Sequence, residues 1–340
     1  MFILRNVEPE DLEDLYELSG KVQFINLPHD KEIIRSKIDN SVKTFKEPSS
    51  DLAKNVYFFV LEDLDIKKVV GVSMIHAQHG TEHEPHFFLK VGSEHKFSQS
   101  INTGFVHGTL KLGLDTNGPT EIGGLVVNPE YRGHPDKLGK QIAFVRFLYM
   151  SMYPERFKEN IHSELMPPLE KDGSSPLWEA IGRRFMNMDY QQADLLSRSN
   201  KEFILSLFPS ENIYMTLLKP RARNAVGKVG KETEPIKNML EKVGFTYTSE
   251  VDPFDGGPHY RAKLKETTLY KNLRTSKVVN ELSDFEMKDA LVHITNPKYK
   301  FFAIKTKLKC NFNNNEIAFV NSELETFNIS LGTEITYIPF

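Results

Sequence analysis

The sequence has 340 residues, 39% hydrophobic and 26% charged, a composition typical of a globular protein with one large or two modest domains. A net charge of −3 with scattered Lys and Arg argues against nucleic-acid binding. The single cysteine, Cys310, excludes an internal disulfide framework, and no apolar run reaches the roughly 18–20 residues that span a bilayer. The N-terminus lacks the basic and apolar regions of a signal peptide, so we expect a cytoplasmic protein that contacts no membrane.

The first part of the chain predicts helices and strands in a mixed order. In chain order, the predicted elements are a strand at 2–5, helices at 12–18 and 31–45, strands at 55–62, 69–76 and 87–91, a polar loop, a strand at 121–127, a helix at 138–153, a strand at 160–165 and a helix at 176–185. Helix and strand do not alternate throughout, which indicates an α+β fold rather than a doubly wound parallel sheet.

The last part of the chain has a different composition, richer in Lys, Asn and β-branched residues. Short runs of alternating polarity occur at residues 290–294, 301–304, 317–320 and 333–338. Strands this short and regularly spaced are typical of a small β-barrel or sandwich, in which Cys310 is an ordinary strand residue. We therefore predict two domains, residues 1–272 and a β-rich C-terminal unit at residues 273–340.

The connection between the strand at 121–127 and the helix at 138–153 is the most informative segment. A strand, a basic loop with glycine and a helix N-terminus together present free backbone N–H groups to an anion, and glycine lets a phosphate approach closely. The alternative is an ordinary strand-to-helix loop. The residues predicted to bind the anionic ligand are Arg132, Gly133, Gly139 and Lys140.

Three segments carry a resemblance to a known family. The pattern L-x-V-x-P-x-Y-R-G from Leu125 resembles the acyl-CoA signature of the GNAT superfamily. The resemblance implies that CoA binds along Leu125 and Val127 as well as at the loop and the helix start. Residues 175–190 and the run Phe-Asp-Gly-Gly-Pro at 254–258 resemble blocks of the bacterial arginine N-succinyltransferases, and the resemblance extends over about residues 1–270. It implies a GNAT-type fold with a mixed, mostly antiparallel sheet flanked by helices.

The resemblance also implies an activity. The implied activity is that of a succinyl-CoA:arginine N-succinyltransferase in arginine and ornithine catabolism. In this reaction the α-amine of the acceptor attacks the thioester directly. The resemblance further implies a basic amino acid as acceptor, succinyl-CoA or another acyl-CoA as cosubstrate, no metal, and a homo-oligomer or a paired homologous subunit. Two alternatives stay open: an acyltransferase with a different amine or acyl-CoA, and a non-catalytic homologue that binds a partner.

Five residues are candidates for catalysis and substrate binding. The resemblance suggests Glu121 as general base and Tyr214 as proton donor to the leaving thiolate, although a strand-edge carboxylate and a packed ring are the alternatives. Glu164 is a candidate for binding the cationic end of the acceptor. Asp255 either faces a cation or stabilises a tight turn, and Arg183 either pairs with a substrate carboxylate or is a solvated surface charge.

The strand before the anion-binding loop contains paired glycines, Gly123 and Gly124. Glycine inside a strand often marks a bulge, and a bulge here would direct N–H groups toward a thioester oxygen. We expect Glu121 and Glu164 to face one cleft near the thioester.

The sequence departs from the family pattern at three places. Residues 21–26 replace a glycine-rich loop, Lys137 replaces a glycine, and Met166 replaces an arginine. All three fall in segments expected to line the active site, so they concern the acceptor rather than the fold. The sequence also contains a group of histidines, namely His76, His79, His83, His86 and His95. Their spacing does not repeat on one helix face, so we predict scattered surface histidines and no metal site.

Overall fold

The computed structural model describes residues 1–21, 27–197 and 200–339. The chain divides into two compact units. The first unit comprises Met1–Gln78, Thr120–Glu159 and Lys263–Phe340, and the second comprises His79–Pro119 and Asn160–Ala262.

The strands follow one another along the chain as follows: β1 Phe2–Asn6, β2 Val56–Asp63, β3 Lys68–His76, β4 His86–Ser98, β5 Thr103–Asp115, β6 Thr120–Val127, β7 Asn160–Glu164, β8 Ile213–Tyr214, β9 Thr246–Val251, β10 Pro258–Lys263, β11 Arg274–Val278, β12 Glu286–His293, β13 Phe302–Asn311, β14 Glu316–Phe319 and β15 Glu334–Pro339.

The helices are α1 Leu12–Gly20, α2 Lys31–Lys46, α3 Leu138–Met152, α4 Pro176–Ala180, α5 Gly182–Met186, α6 Tyr190–Ser197, α7 Glu202–Leu207, α8 Pro220–Ala225, α9 Glu234–Val243, α10 Thr268–Lys271 and α11 Glu323–Thr326. Two of the helix starts are capped by side chains. Asp30 caps α2 by accepting the N–H groups of Glu32 and Ile33, and Ser175 caps α4 by accepting that of Trp178. Among the described residues, no helix is both long and apolar enough to cross a membrane.

In the first unit, strands β1, β2, β3 and β6 form an antiparallel sheet in that spatial order. Apolar residues of α1 and α2 pack on its face, with Leu15, Ile34 and Ile38 against Phe58 and Val72. Burying one continuous apolar face is the main stabilising contribution to such a layer. The α+β class with a mostly antiparallel sheet is confirmed.

The C-terminal strands of the first unit close into a five-stranded barrel. Their order is β12-β15-β11-β14-β13, and β12 also pairs with β13, which closes the ring. One pair, β11 with β14, is parallel. Cys310 is buried in the barrel core, and Ile3 of β1 joins that core because β1 pairs with β13. The predicted β-barrel-like unit is confirmed, while the domain boundary at residue 273 stays a prediction.

In the second unit, the strands lie in the order β7-β10-β9-β4-β5-β8. Its core forms around Trp178, which is fully buried and stacks on Phe254 with ring centroids 4.9 Å apart. The helix predicted at 176–185 is divided at Ile181 into α4 and α5, and Phe185 near its end is exposed. A side chain at Gly182 would overlap the Trp178 ring, so glycine lets the backbone pass over the indole.

The polar loop predicted after residue 91 is wrong. β4 and β5 are each 13 residues long and form an antiparallel hairpin, with Asn102 in the left-handed region at its turn. The far half of the hairpin leaves apolar residues such as Phe97, Phe105 and Val106 exposed. Because neither of its faces is buried, that half lacks the regular alternation that marks a half-buried strand.

Candidate functional site

β6 carries the bulge that its paired glycines predicted. Val72 pairs with Val126 and Met74 with Gly123, so three steps along β6 oppose two along β3. Gly124 has φ of +59°, a conformation that side-chain-bearing residues rarely adopt. The bulge interrupts the ladder immediately before the strand leads into the loop, which leaves this stretch of backbone free to approach a ligand.

The loop after β6 leads into α3 through two left-handed residues. Gly133 has φ of +75° and Lys137, the residue before α3, has φ of 56°. The N–H groups at the start of a helix have no partner within it, and Lys137 gives those of α3 no side-chain cap. A side chain at Gly133 or Gly139 would meet nothing within 4 Å. This open, basic helix start is suited to an anion, and binding there stays a prediction.

A buried arginine, Arg146, lies on α3 behind the bulge. Its Nη1 donates to the carbonyl of Gly123 over 3.2 Å and its Nε to that of Ala143 over 3.1 Å. Burial lowers the pKa of its guanidinium to about 9. Arg146 therefore fixes the bulged strand against the helix that follows the loop.

In the second unit, carboxylates crowd around the turn between β9 and β10. Asp255 accepts the N–H of Gly257 over 2.7 Å, and Asp252 accepts those of Phe254 and Asp255. Burial raises the pKa of Asp255 to about 7, and the nearby charges of Glu164 and Asp194 contribute to the rise. Burial also raises the pKa of Asp252, together with the charges of Asp255 and Glu164. Asp255 thus both stabilises a turn and belongs to a group of like charges.

Three histidines of the second unit surround Glu164. The distances to its Oε1 are 3.3 Å from Nε2 of His162, 3.6 Å from Nδ1 of His86 and 3.7 Å from Nε2 of His259. The prediction that His86 is a surface histidine is wrong, because it lies at the start of β4 and is 1% exposed.

The remaining predicted residues lie on different elements. Glu121 is half-buried on β6 in the first unit, and Glu164 lies at the end of β7 in the second, so a shared cleft stays a prediction. Tyr214 lies on β8, at the opposite edge of the second unit's strand order from β7, and its hydroxyl donates to Glu94. Arg183 is exposed and pairs with Glu179 over 3.0 Å. Most of the altered segment at 21–26 lies outside the described residues.

Sequence reasoning missed four residues of these groups: Arg146, His162, Asp252 and His259. One signal was available for His162, because it lies two positions before Glu164 on a strand and therefore on the same face. His259 follows the Phe-Asp-Gly-Gly-Pro run directly, but only the pairing of strands distant in sequence brings it to Glu164.

A mixed, mostly antiparallel sheet with a bulged strand, a glycine-containing loop and a helix is the architecture of GNAT-type acyltransferases. The chain is an acyl-CoA-dependent N-acyltransferase of this class. Residues 2–269 match the family described as arginine N-succinyltransferase beta subunit. The chain belongs to the arginine N-succinyltransferase family.

Individual relatives agree with this assignment. The chain is 33% identical over 305 residues to an arginine N-succinyltransferase of Yersinia enterocolitica, covering 89% of this chain and 87% of that protein. It is 35% identical over 263 residues to one from an Enterobacter species, covering 76% and 75%. The solved arginine/ornithine succinyltransferase subunit AI of Pseudomonas aeruginosa superposes with a TM-score of 0.83 at 25% identity, covering 100% of this chain and 98% of that one.

Proposed function

We propose that this chain transfers the succinyl group of succinyl-CoA to the α-amine of arginine, in the cytoplasm, as a step of arginine and ornithine catabolism. The names of its relatives support arginine and succinate as the two halves of the product. The observation that carries the acceptor assignment is the group of carboxylates around Asp255 in the second unit.

That group selects for a cation. Asp252 and Asp255 form no ion pair with Lys or Arg among the residues that the structure describes, and both have a raised pKa. The nearby negative charge of Glu164 contributes to the raised pKa of both carboxyl groups. A guanidinium or ammonium bound here would be stabilised by these charges and would return the carboxyl groups to their ionised form.

The proposed chemistry follows direct transfer in a ternary complex. Glu121 takes a proton from the attacking amine, and backbone N–H groups at the β6 bulge stabilise the oxyanion that forms on the thioester. The CoA phosphates bind at Arg132, Gly133, Gly139 and Lys140. Arg183 binds a substrate carboxylate.

A matrix of substrates tests the proposal. Release of the CoA thiol is followed with succinyl-CoA or acetyl-CoA, each with arginine, ornithine, citrulline or no amine. We expect the highest kcat/KM for succinyl-CoA with arginine. Citrulline should be a poor acceptor, because it has nearly the shape of arginine without its charge.

Each alternative has its own outcome in the same matrix. Turnover only with another acyl-CoA or amine would replace the substrate and keep the reaction class. Raised thermal stability with CoA esters but no turnover with any pair would indicate a non-catalytic homologue.

We also propose that the chain assembles with a second copy or with a homologous chain. The family description names a beta subunit and the solved relative is subunit AI, so multichain forms exist among its relatives. Light scattering of the purified chain distinguishes the cases: a dimer mass supports self-assembly, and a monomer mass requires a search for the homologous partner.

A further inference from the structure

The three imidazoles around Glu164 form a compact group of potential metal ligands. One ligand atom from each of His86, His162, Glu164 and His259 can be chosen so that all lie within 4.8 Å of one another. The distances of 3.6 and 3.7 Å from Glu164 to His86 and His259 are too long for normal hydrogen bonds. They are close to the separation of about 3.3 Å between ligand atoms of a tetrahedral centre with bonds of about 2.0–2.1 Å.

Strand geometry explains why these four residues meet. His162 and Glu164 are two positions apart on β7 and project from the same face of the sheet. The N–H of Leu165 bonds to the carbonyl of Pro258 at the start of β10, so His259 lies beside them. All four residues belong to the second unit, and the three histidines are almost completely buried while the Glu164 side chain is 33% exposed.

The buried nitrogens of this group are poorly satisfied. Among the described residues, neither nitrogen of His259 has a hydrogen-bond partner, and Nε2 of His86 has none. Buried polar atoms without partners are uncommon in folded proteins and call for a specific explanation, such as an ion. An unpartnered imidazole nitrogen with a free lone pair is the form in which histidine binds a metal ion.

His162 has a different role from the other two rings. Nε of Arg261 donates to its Nδ1 over 3.2 Å, so the proton of the neutral ring resides on Nε2, which faces Glu164. A protonated nitrogen is not a metal ligand. His162 is therefore a positioning residue that orients the carboxylate of Glu164.

We propose that His86, His259 and Glu164 bind one divalent transition-metal ion of the zinc(II) class, with His162 positioning Glu164. Two imidazoles and one carboxylate are a common ligand set for such ions, and they leave further coordination positions for water or substrate. The inference goes beyond the proposed function. Because Glu164 also belongs to the proposed acceptor site, a bound metal ion and arginine should weaken the binding of each other.

The test uses the full chain without an affinity tag, freed of metal with a chelator, in the absence of amino acid and CoA. Calorimetric titration with Zn²⁺ should give one site per chain, and Co²⁺ should give the visible absorption of a low-coordinate imidazole complex. His259→Ala and Glu164→Gln should each weaken Zn²⁺ binding roughly 100-fold or more, and His162→Asn about 10–100-fold. His83→Ala is the matched control, because His83 is exposed and outside the group.

The outcomes separate this inference from the proposed function. An absence of binding at one site per chain, or a site that His83→Ala weakens as much as His259→Ala does, would overturn the metal inference. If His259→Ala does not fold, by circular dichroism, Glu164→Gln decides alone, because its partly exposed side chain tolerates the isosteric change. Arginine succinylation without Zn²⁺ binding would leave the function standing, and Zn²⁺ binding without turnover would leave the metal site standing.

Discussion

At the scale of single residues, Glu121 is the candidate whose role one substitution can decide. It is half-buried on β6, two residues before the bulge at Gly123 and Gly124. Glu121→Gln should lower kcat by about 10²–10⁴-fold, because a general base typically contributes that much, and should leave the Kd for CoA nearly unchanged. Steady-state kinetics and calorimetry with CoA measure the two quantities. Wild-type turnover at every pH would assign Glu121 a structural role instead.

Asp255 provides a second test, of acceptor selectivity. Asp255→Asn keeps an oxygen that can accept the N–H of Gly257 but removes the negative charge. We expect the KM for arginine to rise about 10–100-fold, the usual effect of losing a charge-assisted hydrogen bond, while the KM for citrulline changes little. Asp172→Asn serves as the control, because Asp172 is an exposed aspartate whose Oδ1 also accepts a backbone N–H two residues on, that of Ser174. Equal increases in the KM for arginine and for citrulline would show that Asp255 maintains the local structure and does not bind the cation.

The same carboxyl group should make stability depend on pH. Its pKa is about 7 in the folded chain because of burial, with Asp252, Glu164, Asp194 and Tyr190 facing it, whereas an unfolded aspartate has a pKa near 3.9. Between these values the folded chain keeps a proton that the unfolded chain releases, so the free energy of unfolding falls as pH rises. The stabilisation from the protonated Asp255 is complete below pH 4 and lost above pH 7. Between these values the free energy of unfolding falls by about 1.4 kcal/mol per pH unit.

Urea unfolding at pH 5 and pH 7.5 measures this slope for the wild type and for Asp255→Asn. The variant lacks the titrating group and should lose less stability between the two pH values. Identical losses in both proteins would place the pH dependence elsewhere.

At the scale of elements, the segment from β6 to α3 contains two glycines with opposite structural demands. Gly124 has a positive φ and lies against Met74, whereas Gly139 is helical and has open space around it. Gly124→Ala should cost about 1–3 kcal/mol, lowering Tm by several degrees. Gly139→Ala should raise the stability of α3 by up to about 1 kcal/mol.

The matched pair also tests the anion site. If CoA approaches the start of α3, Gly139→Ala should raise the KM for the CoA ester while Tm stays the same or rises. A variant with higher Tm and unchanged KM would exclude close approach of CoA to Gly139. Differential scanning fluorimetry and initial-rate kinetics give both quantities from one preparation.

At the scale of the whole molecule, the C-terminal barrel is joined to the N-terminus by direct strand pairing. Ile3 pairs with Ile304 and belongs to the barrel core, and the side chain of Asn6 accepts the N–H of Phe301. A chain truncated after residue 272 would leave β1 with an unpaired, apolar edge. We expect it to aggregate or to unfold without cooperativity, and to lose acyl transfer even though every candidate site residue lies before 273.

Calorimetry of the truncated and complete chains checks this expectation. A cooperative transition of the fragment within a few degrees of that of the complete chain would instead establish the domain boundary at 273 that the sequence predicts.

Local information was sufficient for the parts of the fold that bury one continuous face. The helices α1, α2 and α3, the strands β2, β3 and β6, and the barrel strands β14 and β15 were predicted close to their observed bounds. The barrel strands β12 and β13 are longer than the predicted runs, and β11 was not predicted. The apolar residues of α1, α2 and β6 recur with the period of the element, whereas α3, β2 and β3 are nearly continuous apolar runs. Both patterns are properties of the sequence itself. The bulge at Gly124 was also predictable, because glycine is the residue that adopts a positive φ without strain.

The tertiary structure alone decided which distant residues meet. The β4–β5 hairpin has faces that are exposed for much of its length, so no periodicity revealed it. His86, His162 and His259 lie on three strands separated by dozens of residues, and each alone resembles an isolated histidine. Only the strand order of the second unit brings their nitrogens around Glu164, because pairing between strands is a long-range choice that no local pattern encodes.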